Sequence, residues 1–224
     1  MAQANVIFDL DGTLIESEQI WEDVRRRFVI AQGGRWRDDA QTMMIGMRTA
    51  EWARYIHETL AVPLPPNTIA RDVVDDVVKR MNAHVPVLPG ADDALKRLSR
   101  DFRLGLATSA SLPVAETVLA HTGWHAFFPV VVSADSVERG KPAPDVYLRA
   151  MELLGARSQL TAAVEDSANG IRSAHAAHIA VIAIPNRSFP PDANALSEAL
   201  RVLPSLNDLN SDVIRSAIDG QALG

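Results

Sequence analysis

The chain has 224 residues, 47% hydrophobic and 22% charged, which is the make-up of a globular protein large enough to bury a real core. It contains no cysteine, so disulfide frameworks, thiolate nucleophiles and Cys-ligated metal centres are excluded. The formal charge is −6, with no basic tract beyond Arg25-Arg26-Arg27, which argues against nucleic acid as a partner; no apolar run approaches the roughly 20 residues of a membrane span. Met1 to Asn5 has no positively charged n-region, and a cytoplasmic monomer with no membrane partner is expected.

In chain order, Val6-Ile7-Phe8 is the first short apolar run, and it stops at Asp9. Residues 16–85 then carry helical patterns and no convincing strand. Ile20, Val24 and Phe28 recur at four-residue spacing, with Glu22, Arg25 and Arg26 turned elsewhere, so that Arg25-Arg26-Arg27 reads as a solvated helix face. Further helices are predicted from about Thr49 to Leu60 and from about Asn67 to Ala83. Pro63-Leu64-Pro65-Pro66 separates them, and Asn67 or Thr68 serves as N-cap. After Leu88-Pro89-Gly90 a new rhythm begins. Helical patterns at 91–100, 112–121 and 145–154 alternate with apolar runs at Leu104–Ala107, Val130–Val132, Ala162–Val164 and Ile179–Ile184. Runs that are apolar throughout are strands covered on both faces, as in a parallel sheet. The predicted fold is α/β, a Rossmann-like doubly wound parallel sheet (residues 1–15 and 87–224) with a small α-helical domain inserted at 16–86. The segment after Ile184, with Pro190-Pro191 and two weak helices, carries no readable chemistry.

The polar residues that follow the strands are Asp9 and Asp11, Thr108 and Ser109, Lys141, and Glu165 with Asp166. Parallel strands bring their C-terminal ends to one edge, so four carboxylates, hydroxyls and one ammonium converge there. Carboxylates crowded in this way invite a cation, and oxygen ligands suit Mg2+. Lys141 is one of only three lysines beside nineteen arginines, which singles it out.

These residues resemble the four motifs of the haloacid dehalogenase-like phosphohydrolases. Asp9-Leu10-Asp11-Gly12-Thr13 matches the first, Thr108 the second, Lys141 within Gly140-Lys141-Pro142 the third, and Glu165-Asp166 the fourth. The resemblance covers essentially the whole chain and is strongest to the subgroup of β-phosphoglucomutase and small sugar-phosphate phosphatases. It implies that Asp9 is the nucleophile and Asp11 the general acid and base. Mg2+ would be held by the Asp9 and Asp166 carboxylates and the Asp11 main-chain carbonyl, with Glu165 in support, while Lys141 and Thr108 stabilise the transferring phosphoryl group. Residues 16–86 would be a cap that gates the site, hinged near Glu16-Ser17 and Pro86 to Leu88.

Arg48, after Ile45-Gly46-Met47, stands where such caps reach the substrate, although a surface role is equally open. Trp21 and Trp52 read as cap core; sugar-phosphate mutases of the family carry a histidine at the Trp21 position. His175 and His178 lie three apart on a predicted helix but lack a third ligand. Asp11 argues against a dehalogenase, and the lack of a lysine early in the cap argues against a phosphonate hydrolase. A phosphatase for a small phosphorylated metabolite, a sugar or polyol phosphate, is therefore expected. The alternatives are a β-phosphoglucomutase-like enzyme or an idle phosphate-binding member, and the intact acidic set argues against the latter.

Overall fold

The computed structural model describes residues 3–221; Met1 and Ala2 of the N-terminal reading lie outside them. Strand β1 (Asn5–Phe8) is followed by four helices: α1 (Glu18–Ala31), α2 (Ala40–Met44), α3 (Thr49–Glu58) and α4 (Pro66–Ala83). The chain continues through α5 (Ala91–Leu98), β2 (Arg103–Thr108), α6 (Leu112–Thr122), β3 (Val130–Ser133), α7 (Asp145–Leu154) and β4 (Thr161–Glu165). It ends with α8 (Ala168–Ala176), β5 (Ala180–Ala183), α9 (Ala193–Ser197), β6 (Arg201–Val202) and α10 (Ser211–Gln221).

The six strands form one sheet in the order β3-β2-β1-β4-β5-β6, with every neighbouring pair parallel. This is the Rossmann-like arrangement. Val6 and Phe8 of β1 pack with α5, α6 and α10 on one face, and Ile7 packs with α7 and α8 on the other, which is why the strand is apolar without alternation from Val6 to Phe8. The order reverses at β1, between β2 and β4, and a sheet of this kind leaves its crevice at the carboxyl ends of the strands beside that point. Asp9 follows β1, Glu165 ends β4 and Asp166 follows it.

The helical insert leaves and rejoins the sheet side by side. Ile15 and Val87 form an antiparallel bridge, flanked by Glu16 N–H donating to Pro86 O (2.8 Å) and Leu88 N–H donating to Leu14 O (2.9 Å). Within the insert the buried stripe of α1 is Trp21, Val24, Arg25 and Val29, rotated by about one residue from the expected Ile20-Val24-Phe28 stripe. Arg26 and Arg27 are exposed, but Arg25 is buried, so the solvated-face reading fails for that residue. Helix α4 begins at Pro66, with Pro65 rather than Asn67 or Thr68 as N-cap. A proline in the first turn forgoes an N–H that has no helical partner, and Asn67 Oδ1 instead accepts from Thr68 N–H at 2.9 Å. The five-residue α2 is too short to leave a periodic signal. After Ile184 the chain adds the two-residue edge strand β6 and then α10, which buries Ile214, Ala217 and Ile218 against the sheet. His178 lies beyond α8 at φ +56°, so it shares no helix face with His175, and both are exposed. No helix among the described residues is long and apolar enough to cross a membrane.

Candidate active site

Lys141 ties the ends of three strands together. Its buried ammonium donates to Asp9 Oδ1 after β1 (2.8 Å), to the Ala107 carbonyl in β2 (3.1 Å) and to Glu165 Oε1 in β4 (2.5 Å), which uses all three N–H groups. The other two lysines, Lys79 and Lys96, are exposed. The Tyr147 hydroxyl on α7 also donates to Glu165 Oε1, at 2.6 Å, and Glu165 Oε2 accepts from Asp166 N–H at 3.2 Å. Glu165 is thus the fully buried anchor that holds Lys141 against Asp9. Two glycines permit this closeness. A side-chain carbon at Gly170 would overlap the Glu165 carboxylate; one at Gly12, where φ is +81°, would overlap that of Asp166.

Asp11 faces the other way, toward the insert. Its Oδ1 accepts from Ser17 Oγ and from Trp21 Nε1 (3.3 Å), and its Oδ2 from Thr108 Oγ1 (3.4 Å). Thr108 Oγ1 in turn accepts from Ala110 N–H at 3.0 Å. The sequence-based metal set therefore divides. Carboxylate oxygens of Asp9, Glu165 and Asp166 lie within 4.8 Å of one another, whereas the Asp11 side chain is engaged elsewhere, leaving only its main-chain carbonyl to serve.

Burial raises the Asp9 carboxyl to about 8; Lys141 works against the rise, while Glu165 and Asp11 add to it. Burial, then Asp9 and Glu165, push Asp166 well above the usual carboxylate range. Burial opposes the Lys141 charge, but Asp9 and Glu165 outweigh it and hold the ammonium above the ordinary lysine value. Three carboxylates against one ammonium leave the edge short of positive charge. The donors are all oxygen, the set a hard divalent cation such as Mg2+ takes.

Ser109 and Arg48 do not share this role. Ser109 lines the cavity, yet its hydroxyl donates to Gly46 O in the insert at 3.1 Å. Arg48, for which a substrate contact and a surface role were equally open, does not line the cavity. As N-cap residue of α3 it reaches Glu51 Oε1 three residues on (2.9 Å) and crosses to the Val137 carbonyl (3.1 Å). With Asn169 Nδ2 donating to Ile45 O (3.3 Å) and Thr49 N–H donating to Asp135 Oδ1 (3.0 Å), these bonds hold the insert down on the sheet edge.

Between insert and sheet lies a cavity of about 50 Å³, with Asp9, Lys141 and Asp166 on the sheet side and Glu18, Trp21 and Arg25 on the insert side. Ligand pockets commonly measure roughly 300–1,000 Å³, so this one is small for a metabolite as it stands. Trp21 and Trp52 meet edge-to-face, with ring centres 6.1 Å apart. Sequence reasoning missed Ser17, Glu18, Arg25 and Tyr147 as parts of the site. For Arg25 and Tyr147 the available signal was a polar group on the inward stripe of a helix.

Glu18 Oε2 accepts from Gln41 Nε2 at 2.7 Å, and burial, with Asp11 nearby, raises its carboxyl from 4.5 to about 7. The folded state then keeps a proton that the unfolded chain releases, so stability falls as pH rises from about 4.5 to about 7. Glu18→Gln should remove this slope and make the protein more stable than wild type at pH 8 by up to about 3 kcal/mol. Urea midpoints of both proteins at pH 5 and pH 8 test this, and parallel slopes would refute it.

The chain belongs to the haloacid dehalogenase-like hydrolases, whose family model matches residues 6–184. It is 31% identical over 229 residues to hexitol phosphatase A of Escherichia coli (strain K12), covering 93% of this chain and 96% of that protein. It is 30% identical over 206 residues to the bifunctional riboflavin kinase/FMN phosphatase of Arabidopsis thaliana; that match takes in 91% of this chain and spans about half, 54%, of the relative. Among solved structures, CbbY from Rhodobacter sphaeroides in complex with phosphate superposes with a TM-score of 0.84 at 27% identity, covering 97% of this chain and all of the other.

Proposed function

We propose that the chain is a Mg2+-dependent phosphatase for small sugar or polyol phosphates, acting through an aspartyl-phosphate on Asp9. That it is a phosphoric monoester hydrolase follows from its family and its phosphatase relatives. The observation that carries the finer reading is the division of labour between two aspartates two residues apart. Asp9 is pinned by Lys141 among the acids, and Asp11 is turned by Ser17, Trp21 and Thr108 toward the space where a leaving group would lie.

Residues 1–15 and 87–224 form the catalytic core in this reading, and 16–86 the cap. A carboxylate oxygen of Asp9 bonds to phosphorus as the bond to the leaving oxygen breaks in line. Asp11, whose carboxyl burial raises, gives its proton to that oxygen. It then takes a proton from the water that attacks phosphorus, the Asp9–phosphorus linkage breaks, and inorganic phosphate leaves. Lys141 and the Thr108 hydroxyl offset charge on the transferring group. Asp9, Asp166 and the Asp11 carbonyl would hold Mg2+, with Glu165 behind them; when bound, the ion neutralises phosphoryl oxygens.

A phosphatase is favoured over a mutase because the residue above Asp11 is Trp21, whose indole N–H can donate a hydrogen bond but cannot exchange a proton as a histidine can. Phosphate release across a panel of sugar, polyol and nucleotide monophosphates, with Mg2+ and with EDTA, tests this, alongside glucose 6-phosphate detection from β-glucose 1-phosphate. Mg2+-dependent release from a few members is expected; isomerisation with little release would make the mutase correct. Asp11→Asn should lower kcat on alkyl phosphates by about 10²–10⁴-fold, whereas p-nitrophenyl phosphate, which leaves without a proton, should still give a burst of nitrophenol. A mutant without that burst would place Asp11 outside the acid–base role.

A further inference from the structure

The insert wall of the cavity carries a positive pole. Arg25 is only 5% exposed, and its guanidinium rests against two indoles that meet edge-to-face, with Cζ 4.6 Å from the ring centre of Trp21 and 5.0 Å from that of Trp52. All three side chains line the cavity that holds Asp9, Lys141 and Asp166. An indole face offers no lone-pair acceptor to a guanidinium's five N–H donors, so these must find partners elsewhere. One donor, at Nη1, reaches Gln41 Oε1 at 3.2 Å, while the Nε–H is shielded from solvent and meets no acceptor. No carboxylate among the described residues forms an ion pair with it. The acid acting on it most strongly is Glu18, and Gln41 stands between them, accepting from Arg25 and donating to Glu18. Burial lowers the Arg25 guanidinium to about 10 and raises Glu18 to about 7. A buried guanidinium with an N–H that meets no acceptor is unfavourable unless a partner arrives. The cavity opens beside it.

We propose that Arg25 is the specificity residue of this enzyme, receiving a second anionic group, carboxylate or phosphate, on the leaving-group end of the substrate. Phosphorylated sugar acids or sugar bisphosphates are then preferred to neutral sugar phosphates. The proposal rests on the phosphatase reading above, in which the sheet side takes the transferring phosphoryl group and the insert side takes the rest of the substrate. A planar fork matches either anion bidentately, and the burial of Arg25 against two indoles keeps water from weakening the contact.

The test uses matched pairs: glucose 6-phosphate against 6-phosphogluconate, and fructose 1-phosphate against fructose 1,6-bisphosphate. Wild type, Arg25→Met (similar bulk, no charge) and Arg25→Lys are compared by phosphate release. Asp9→Asn and Asp9→Asn/Arg25→Met are compared by calorimetric binding of the same compounds. Wild type should favour the more anionic member of at least one pair by tenfold or more in kcat/KM, and which pair it is separates carboxylate from phosphate. Arg25→Met should remove that advantage mainly through KM, and Arg25→Lys should restore part of it. In the Asp9→Asn background, Arg25→Met should weaken the more anionic member at least tenfold more than its neutral partner. Equal losses within each pair, or no wild-type preference, overturn the proposal. If Arg25→Met does not fold, the wild-type preference and the Arg25→Lys profile decide. Selective, Arg25-dependent binding without any turnover would support the anion site and overturn the phosphatase reading instead.

Discussion

Asp9→Asn is expected to lower kcat by at least about 10⁴-fold, the scale on which removing a covalent nucleophile acts. The asparagine oxygen can still accept the Lys141 bond now made to Asp9 Oδ1, so the three-strand tie survives and the protein remains folded. The loss is therefore chemical and not structural. Steady-state phosphate release and urea unfolding on the same preparation separate the two. A variant that keeps a tenth of the activity would exclude Asp9 as the attacking group.

Lys141→Met is expected to damage both activity and stability. The methionine matches the aliphatic stem but strips donors from Asp9, from the Ala107 carbonyl and from Glu165, which keeps only Tyr147 and the Asp166 N–H. Removing one partner of a buried ion pair commonly costs about 3–5 kcal/mol, and here two carboxylates share that partner. The sign with pH follows from protonation. Without the ammonium both acids are easier to protonate, so the destabilisation should be larger at pH 8 than at pH 5.5. Urea midpoints at the two values check this, and a pH-independent loss would mean that packing, not charge, is at fault. Lys141→Arg should rescue poorly, because three acceptors on three strands surround a compact ammonium and a planar fork cannot meet them all.

That lysine also shows what could be read from the sequence. In a chain that otherwise prefers arginine, a lysine between Gly140 and Pro142 stood out before any coordinates, as did Asp9, Asp11 and Glu165-Asp166 at the ends of apolar runs. Strands covered on both faces announce themselves by uninterrupted apolar residues, and their ends locate the polar edge. The insert was less legible. Its α1 buries an arginine, and a pattern reading assigns charge to solvent by default; the group is covered by Trp21 and Trp52 and bonded to Gln41, and Trp52 is 27 residues away in sequence. Arg48 was only half legible for a related reason. Its position near the edge was read correctly, but its direction depends on Glu51 one turn on and on a carbonyl at Val137, a long-range partner. The edge strand β6 has two residues and no periodicity to detect.

The bridge between Ile15 and Val87 has an evolutionary consequence. Residues paired in this way lie roughly 5 Å apart, so everything between them hangs from the sheet as a closed loop whose two ends nearly touch. Such a segment behaves as an interchangeable module. A change in its length need not displace the strand that bears Asp9, because both attachment points meet at this one bridge. A chimera that joins residue 15 to residue 87 through a foreign helical segment should accordingly retain the sheet and its buried lysine tie.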